Sequence, residues 1–265
     1  MNEAPVGIFD SGIGGLTVAR AIFRQLPAES TIYFGDTARV PYGPKSPDTV
    51  RRYSREILDW LLAQRVKAVV IACNTSTAHA LEDLRRISPV PVIGVIEPGS
   101  RAAIAASRSV VGIIGTAGTI ASEAYPRAIR ARKPDAQVLQ AACPLFVPFV
   151  EEGWFDHPAL ELVAHEYLRP LIAGGVDALV LGCTHYPLLM PLLQRVMGPE
   201  VRLIDSAEET ARALGEVLRR EGLTAPASGS PAHRFVVSDD EARFRAVGAR
   251  FIGARLERAE VVSVG

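Results

Sequence analysis

The sequence predicts an α/β protein with mainly parallel sheets, assembled from two similar halves. Three observations carry that expectation. Short β-branched apolar runs alternate with longer stretches of helical periodicity, the order expected of strand–helix–strand units. The strand-like runs are apolar at successive positions rather than alternate ones, as when helices cover both faces of a sheet. Two of the runs also recur at nearly one spacing. Val6-Gly-Ile-Phe-Asp-Ser-Gly matches Val111-Gly-Ile-Ile-Gly-Thr-Ala, and Ala68-Val-Val-Ile-Ala-Cys-Asn-Thr matches Ala178-Leu-Val-Leu-Gly-Cys-Thr.

Taken in order, the first set of strands is expected at Val6–Phe9, Thr31–Phe34, Ala68–Ala72 and Pro91–Val95. The second set is expected at Val110–Ile114, Gln137–Gln140, Ala178–Leu181 and Val201–Ile204. Helical periodicity fills the intervals, for example Pro47–Gln64, Ala159–Ala173 and Ala207–Arg220. A Pro/Gly/Ser-rich connector, Glu221–Pro231, leads to a strand at Phe235–Ser238 and a helix marked by Phe244, Val247, Phe251 and Ile252. This tail has no counterpart in the other half. It is expected to return to the first lobe, making that lobe discontinuous (1–96 plus 206–265) with 97–205 inserted as the second.

The 265 residues are 48% hydrophobic and 22% charged, as in a globular protein, and the length allows one large domain or two smaller ones, each with its own core. Lys+Arg and Asp+Glu balance at 29 each, so neither nucleic acid nor a membrane surface is expected as a partner. A small-molecule substrate is. The segment Met1–Asp10 lacks the basic start and apolar core of a secretory signal, and no apolar run approaches the ~20 residues of a membrane span. A cytoplasmic location with reduced thiols is expected. Cysteines 73, 143 and 183 are too few and too scattered for a disulfide scaffold or a C-x-x-C metal site.

Ligands of parallel α/β sheets bind beyond the carboxyl ends of the strands. The residues there are Asp10-Ser11-Gly12, Gly35-Asp36, Cys73-Asn74-Thr75, Gly115-Thr116, Cys183-Thr184-His185 and Asp205-Ser206, a polar, hydroxyl-rich set suited to a small charged ligand. Cys73 and Cys183 end equivalent strands, so across a pseudo-twofold axis their thiols approach one ligand from opposite sides. Either alone reads as a buried inert cysteine. A thiol with a pKa of ~8.5 needs help to act as a base. His185, two residues beyond Cys183, and Asp10, on a strand that can neighbour that of Cys73, are the candidates. A plain helix cap is the alternative for Asp10, and a structural histidine for His185.

Other segments read two ways. Gly12-Ile13-Gly14-Gly15 with Thr17 is a partial dinucleotide fingerprint, and Asp36 stands near where a ribose-binding acid would be. The simpler reading is a tight turn whose backbone N–H groups can hold a carboxylate. Pro41-Tyr42-Gly43 is a surface turn or a loop over a ligand, and Glu151-Glu152-Gly153 supplies a carboxylate or merely ends a helix.

Together, Phe9-Asp10-Ser11-Gly12-Ile13-Gly14-Gly15, Pro41-Tyr42-Gly43, Cys73-Asn74-Thr75, Pro148-Phe149-Val150-Glu151-Glu152-Gly153 and Cys183-Thr184-His185-Tyr186-Pro187 resemble the motifs of the glutamate racemases, in their order and over nearly the whole chain. The Ser238-Asp239-Asp240 tail is similar too. The resemblance implies two pseudo-symmetric lobes, each a mainly parallel sheet flanked by helices, with the active site between them, in a homodimer. It implies interconversion of L- and D-glutamate for peptidoglycan synthesis without pyridoxal phosphate or metal. By the same resemblance Cys73 works on the D-enantiomer and Cys183 on the L-enantiomer, assisted by Asp10, His185 and Glu151. Asp10, Ser11, Pro41, Tyr42, Gly43, Cys73, Asn74, Thr75, Thr116, Thr119, Cys183, Thr184 and His185 match positions at the substrate. The competing readings are an aspartate or hydantoin racemase and a two-lobed amino-acid-binding protein without catalysis.

Overall fold

A computed structural model describes residues 2–227, 230–253 and 256–264. Its ten strands are β1 (Val6–Asp10), β2 (Thr31–Gly35), β3 (Ala68–Ile71), β4 (Val92–Gly94), β5 (Val110–Gly115), β6 (Gln137–Ala142), β7 (Val176–Gly182), β8 (Arg202–Ile204), β9 (His233–Val237) and β10 (Glu260–Val261). The helices are α1 (Leu16–Gln25), α2 (Pro47–Ala63), α3 (Asn74–Ile87), α4 (Ile96–Ala106), α5 (Ala117–Ala121), α6 (Ala124–Arg130), α7 (Phe146–Glu152), α8 (Pro158–Ala173), α9 (Met190–Met197), α10 (Ser206–Arg220) and α11 (Glu241–Ile252).

The strands form two sheets, ordered β10-β9-β2-β1-β3-β4 and β6-β5-β7-β8, and every pairing among the described residues is parallel. The order β2-β1-β3-β4 in one sheet repeats as β6-β5-β7-β8 in the other, so the internal sequence match is a match of topology. The β1, β2, β3 and β5 strands are buried at every position, as their uniform apolarity requires of strands covered on both faces. The β6 strand departs from that expectation. Gln137 and Leu139 are exposed, because β6 is a sheet edge and its outer face is only partly covered. The tail strand β9 begins two residues earlier than its apolar pattern suggests: His233 and Arg234 pair with Thr31 and Ile32 and extend the first sheet beyond β2. Within that sheet β10 is a two-residue strand with no sequence signal.

Local chemistry starts the helices where the sequence places them. Ser46 caps α2 by accepting the Thr49 N–H at 3.3 Å, with Pro47 at the first helical position. Asp205 caps α10 through Ala207 N–H at 2.9 Å. Thr116 caps α5, and the Cys73 sulfur itself caps α3, accepting from Ser76 N–H at 3.4 Å. One continuous apolar core runs from β1 and α1 through α4 and α10 to β5 and β7, while a second packs α2 and α3 on the other face of the first sheet. Among the described residues no helix is long and apolar enough to cross a membrane.

Candidate active site

Strand pairing delivers the strand-end residues to one place. The β1 strand, ending in Asp10, pairs with β3, which leads directly to Cys73. The β5 strand pairs with β7 so that Gly115 lies opposite Gly182, and the next residues are Thr116 and Cys183. The carboxyl ends of the two sheets face each other across a cavity of 30 Å³ whose wall includes Ser11, Pro41, Tyr42, Gly43, Cys73, Asn74, Thr75, Thr116, Cys183, Thr184 and His185. A pocket of 410 Å³ between the Val40–Pro44 loop and α7 shares Val40, Pro41, Gly43, Thr116 and Val147 with it. A larger hollow of 750 Å³ beside Arg85, Arg101 and Arg220 contains none of these residues, so chemistry rather than size identifies the site.

Asp10 and Thr119 stand behind the wall, and Glu151 lines the neighbouring pocket. Asp10 is fully buried and accepts the Gly12 N–H at 3.0 Å, while the Thr184 hydroxyl lies 3.5 Å away across the interface between the sheets. The glycine-rich turn thus does hold a carboxylate, and it is the protein's own. Burial raises the Asp10 pKa above its ordinary value; the His185 charge and the N–H groups of Gly15 and Gly12 pull the other way. Thr119 joins Thr75 and Thr116 in a triangle of hydroxyls, at 2.9, 3.3 and 3.0 Å, that bridges α3 and α5. Gly118 N–H donates to Gly43 O at 2.9 Å, pinning the Tyr42 loop to the second sheet's side of the cavity.

Both thiols are free and buried. Burial raises the pKa of Cys73, and the nearby Asp10 charge adds to the rise, while Ser76 and Ser11, whose hydroxyl is 3.7 Å away, favour the thiolate. Burial likewise pushes Cys183 well above the ordinary thiol range, against the His185 backbone N–H. The His185 ring lies between two partners, with Nδ1 3.9 Å from the Cys183 sulfur and Nε2 3.1 Å from Glu151 Oε1. Burial raises the Glu151 pKa, but its hydrogen bond and charge pairing with His185 and those with Arg243 outweigh that and hold it below the ordinary carboxylate value. Glu151, accepting Nε2–H, turns the Nδ1 edge of the ring toward the Cys183 thiol.

Asp36 corrects one of the alternatives. Its buried carboxylate accepts from Arg39 Nε at 2.7 Å, from Ser238 Oγ at 2.8 Å and from the Tyr42 hydroxyl. It anchors the Tyr42 loop, is fully buried and lines none of the cavities described above, so it is not placed to meet a ribose. Asp205 is occupied as the α10 cap. Cys143 is buried away from the cavity wall, with burial pushing its pKa upward. The motifs do not point to Val40 and Val147, which give the wall its apolar portion, or to Tyr125, whose hydroxyl donates to Asn74 Oδ1 at 2.7 Å.

A family model described as Asp/Glu/Hydantoin racemase matches residues 6–214. A glutamate racemase of Syntrophus aciditrophicus is 52% identical over 98% of this chain and 97% of its own. Among solved structures, a glutamate racemase isoform from Bacillus anthracis superposes with a TM-score of 0.94 at 38% identity, covering 100% of this chain and 98% of the other. The Francisella tularensis glutamate racemase, solved in complex with D-glutamate, gives 0.93 at 38% identity over 99% and 98%. The chain belongs to the Asp/Glu/Hydantoin racemase family and, within it, to the glutamate racemases, which are isomerases.

Proposed function

We propose that this chain interconverts L- and D-glutamate with Cys73 and Cys183 as its two acid/base groups, and with neither cofactor nor metal. One observation carries the reading: two thiols at topologically equivalent strand ends open on the same small cavity. An amino-acid α-proton is very weakly acidic, so its removal needs a base on one face, a proton donor on the other and stabilisation of the carbanion between. Cys73 as thiolate takes the proton from D-glutamate, and the Cys183 thiol delivers its own proton to the opposite face. The reverse assignment converts L-glutamate, and each turnover exchanges which sulfur carries the proton. Asp10 assists Cys73 and His185 assists Cys183, with Glu151 orienting the imidazole. The hydroxyls of Ser11, Thr75, Thr116, Thr119 and Thr184, the Asn74 amide and the Pro41–Gly43 loop bind the substrate.

The relatives' names and the D-glutamate complex of the Francisella protein support glutamate as substrate. We extend the reading to a homodimeric cytoplasmic enzyme supplying D-glutamate for peptidoglycan, with lobes at 1–96 plus 206–265 and 97–205. The test is circular dichroism of purified protein with L-glutamate, dialysed against chelator. The signal should decay to zero, and that of D-glutamate should rise to zero. An unchanged signal, or activity restored only by a metal or pyridoxal phosphate, would overturn the proposal.

The direction of the thiol shifts fixes a pH dependence. Catalysis needs one thiol ionised, and burial disfavours both thiolates. The fraction of competent enzyme therefore grows as protons are removed, and kcat/KM should climb through neutrality and still be rising at the ordinary thiol pKa of about 8.5. A descending limb follows when the second thiol, the acid, ionises as well. A profile already flat below pH 7 would show that Ser76, Ser11 and the His185 N–H overcome burial.

A further inference from the structure

Asn74 opens α3 and lines the cavity, but the orientation of its amide is not set by anything on its own helix. A carboxamide is nearly symmetric in shape, so the end facing a ligand is decided by what holds the other end. Here the holder is Tyr125 of α6. It is fully buried, and its hydroxyl donates to Asn74 Oδ1 at 2.7 Å. The Asn74 Nδ2 is buried and has no protein partner, in a residue on the cavity wall. A buried amide NH2 without an acceptor is costly unless a ligand supplies one.

The phenol hydroxyl donates to the amide oxygen, so the unpartnered NH2 is the other end of the same group. The ring is held in place by close backbone: a Cβ on Gly182 would come within 3.2 Å of Tyr125 Cε2, and one on Gly99 within 3.4 Å of the phenol oxygen. Gly182 immediately precedes Cys183, so the clamp and the thiol share one strand end.

We propose that Tyr125 is a positioning residue that fixes the Asn74 amide with its NH2 toward the cavity, where it donates to a carboxylate of the bound amino acid. This rests on the functional reading above. With the opposite orientation the amide oxygen would face the carboxylate and repel it. The relay also crosses the interface between the sheets, since Asn74 follows β3 whereas Tyr125 lies between β5 and β6.

The test is a double-mutant cycle read by calorimetric titration with racemic glutamate, which is already at equilibrium and gives no net turnover heat. Tyr125→Phe should weaken binding about five- to tenfold, the worth of one oriented hydrogen bond. It should raise KM for both enantiomers by a common factor and lower kcat less. In an Asn74→Ala background the same substitution should add less than about twofold, because the group it positions is gone. Unaltered binding by a folded Tyr125→Phe, or an equal factor in both backgrounds, would overturn the proposal. Should Tyr125→Phe fail to fold, Asn74→Asp is compared with Asn74→Ala: held by the same phenol it presents an oxygen to the ligand, so it should bind glutamate more weakly than the alanine variant, and equal or tighter binding would overturn the proposal. If the wild-type protein binds no glutamate, the functional reading falls and this inference with it; an additive cycle overturns the inference alone.

Discussion

Replacing Cys73 or Cys183 by serine should lower racemisation by about a thousandfold or more in both directions. An aliphatic hydroxyl is a far weaker acid than a thiol, and burial in this cavity weakens it further. On the proposed two-thiol mechanism both directions suffer in either variant, because one sulfur removes the proton and the other returns it. The loss cannot be blamed on unfolding at Cys73. That sulfur caps α3 by accepting the Ser76 N–H, and serine is among the best residues for that position. Cys73→Ser should therefore keep the wild-type melting temperature within a few degrees, or raise it, while activity collapses. Thiol alkylation of the wild type, slowed by glutamate, is the chemical counterpart. Near-wild-type racemisation by either serine variant would end the two-thiol mechanism.

Gly14→Ala should cost about a hundredfold in kcat/KM, although it lies in neither thiol's loop. A Cβ there would meet His185 Nδ1 at 2.5 Å and Cε1 at 2.7 Å, besides the Thr184 hydroxyl. The backbone at Gly14 is not in the left-handed region, so space and not conformation makes it glycine. The imidazole would have to leave its place between Cys183 and Glu151, and the loop carrying it would move from Asp10. Gly12→Ala, two residues earlier, is the control: its Cβ meets only Val40, Cγ2 at 3.4 Å and Cβ at 3.8 Å, ordinary contacts, and activity should stay close to wild type. Equal effects of the two substitutions would mean that the turn matters through its backbone and not through its approach to His185.

These residues show how far the sequence can be read. Uniformly apolar runs marked the buried strands, and the duplicated run marked Cys73 and Cys183 as equivalent, since strand ends in parallel sheets point to one side. The cavity wall was legible for the same reason. What a strand-end side chain does next was not. Asp36 and Asp10 end neighbouring strands, yet Asp36 turns into the Arg39–Tyr42–Ser238 cluster and Asp10 into the glycine turn. Tyr125 and Arg243 carry no local pattern at all. Their partners, Asn74 and Glu151, are 51 and 92 residues distant, and only the approach of whole helices brings them together. The β6 strand was legible but its exposed face was not, and the two-residue β10, exposed at both positions, left no apolar signal.

The chain order of the two sheets has a consequence for how the molecule is made. The sheet of β5 to β8 draws on one continuous stretch, residues 110–204, so it can assemble as soon as that stretch leaves the ribosome. The other sheet cannot. Thr31 and His233, bonded side chain to side chain across β2 and β9, are 202 residues apart, and α11 packs on α1 from the same distant end. Its amino-terminal strands must therefore wait, with the β2 edge uncovered, until residues 233–237 have been made. Closing so long a loop is the slow step for a sheet. Asp36 gains its Ser238 partner, and Glu151 its Arg243 partner, only in that last event. Nascent chains stalled before the tail should carry a folded second sheet and an unfinished cavity.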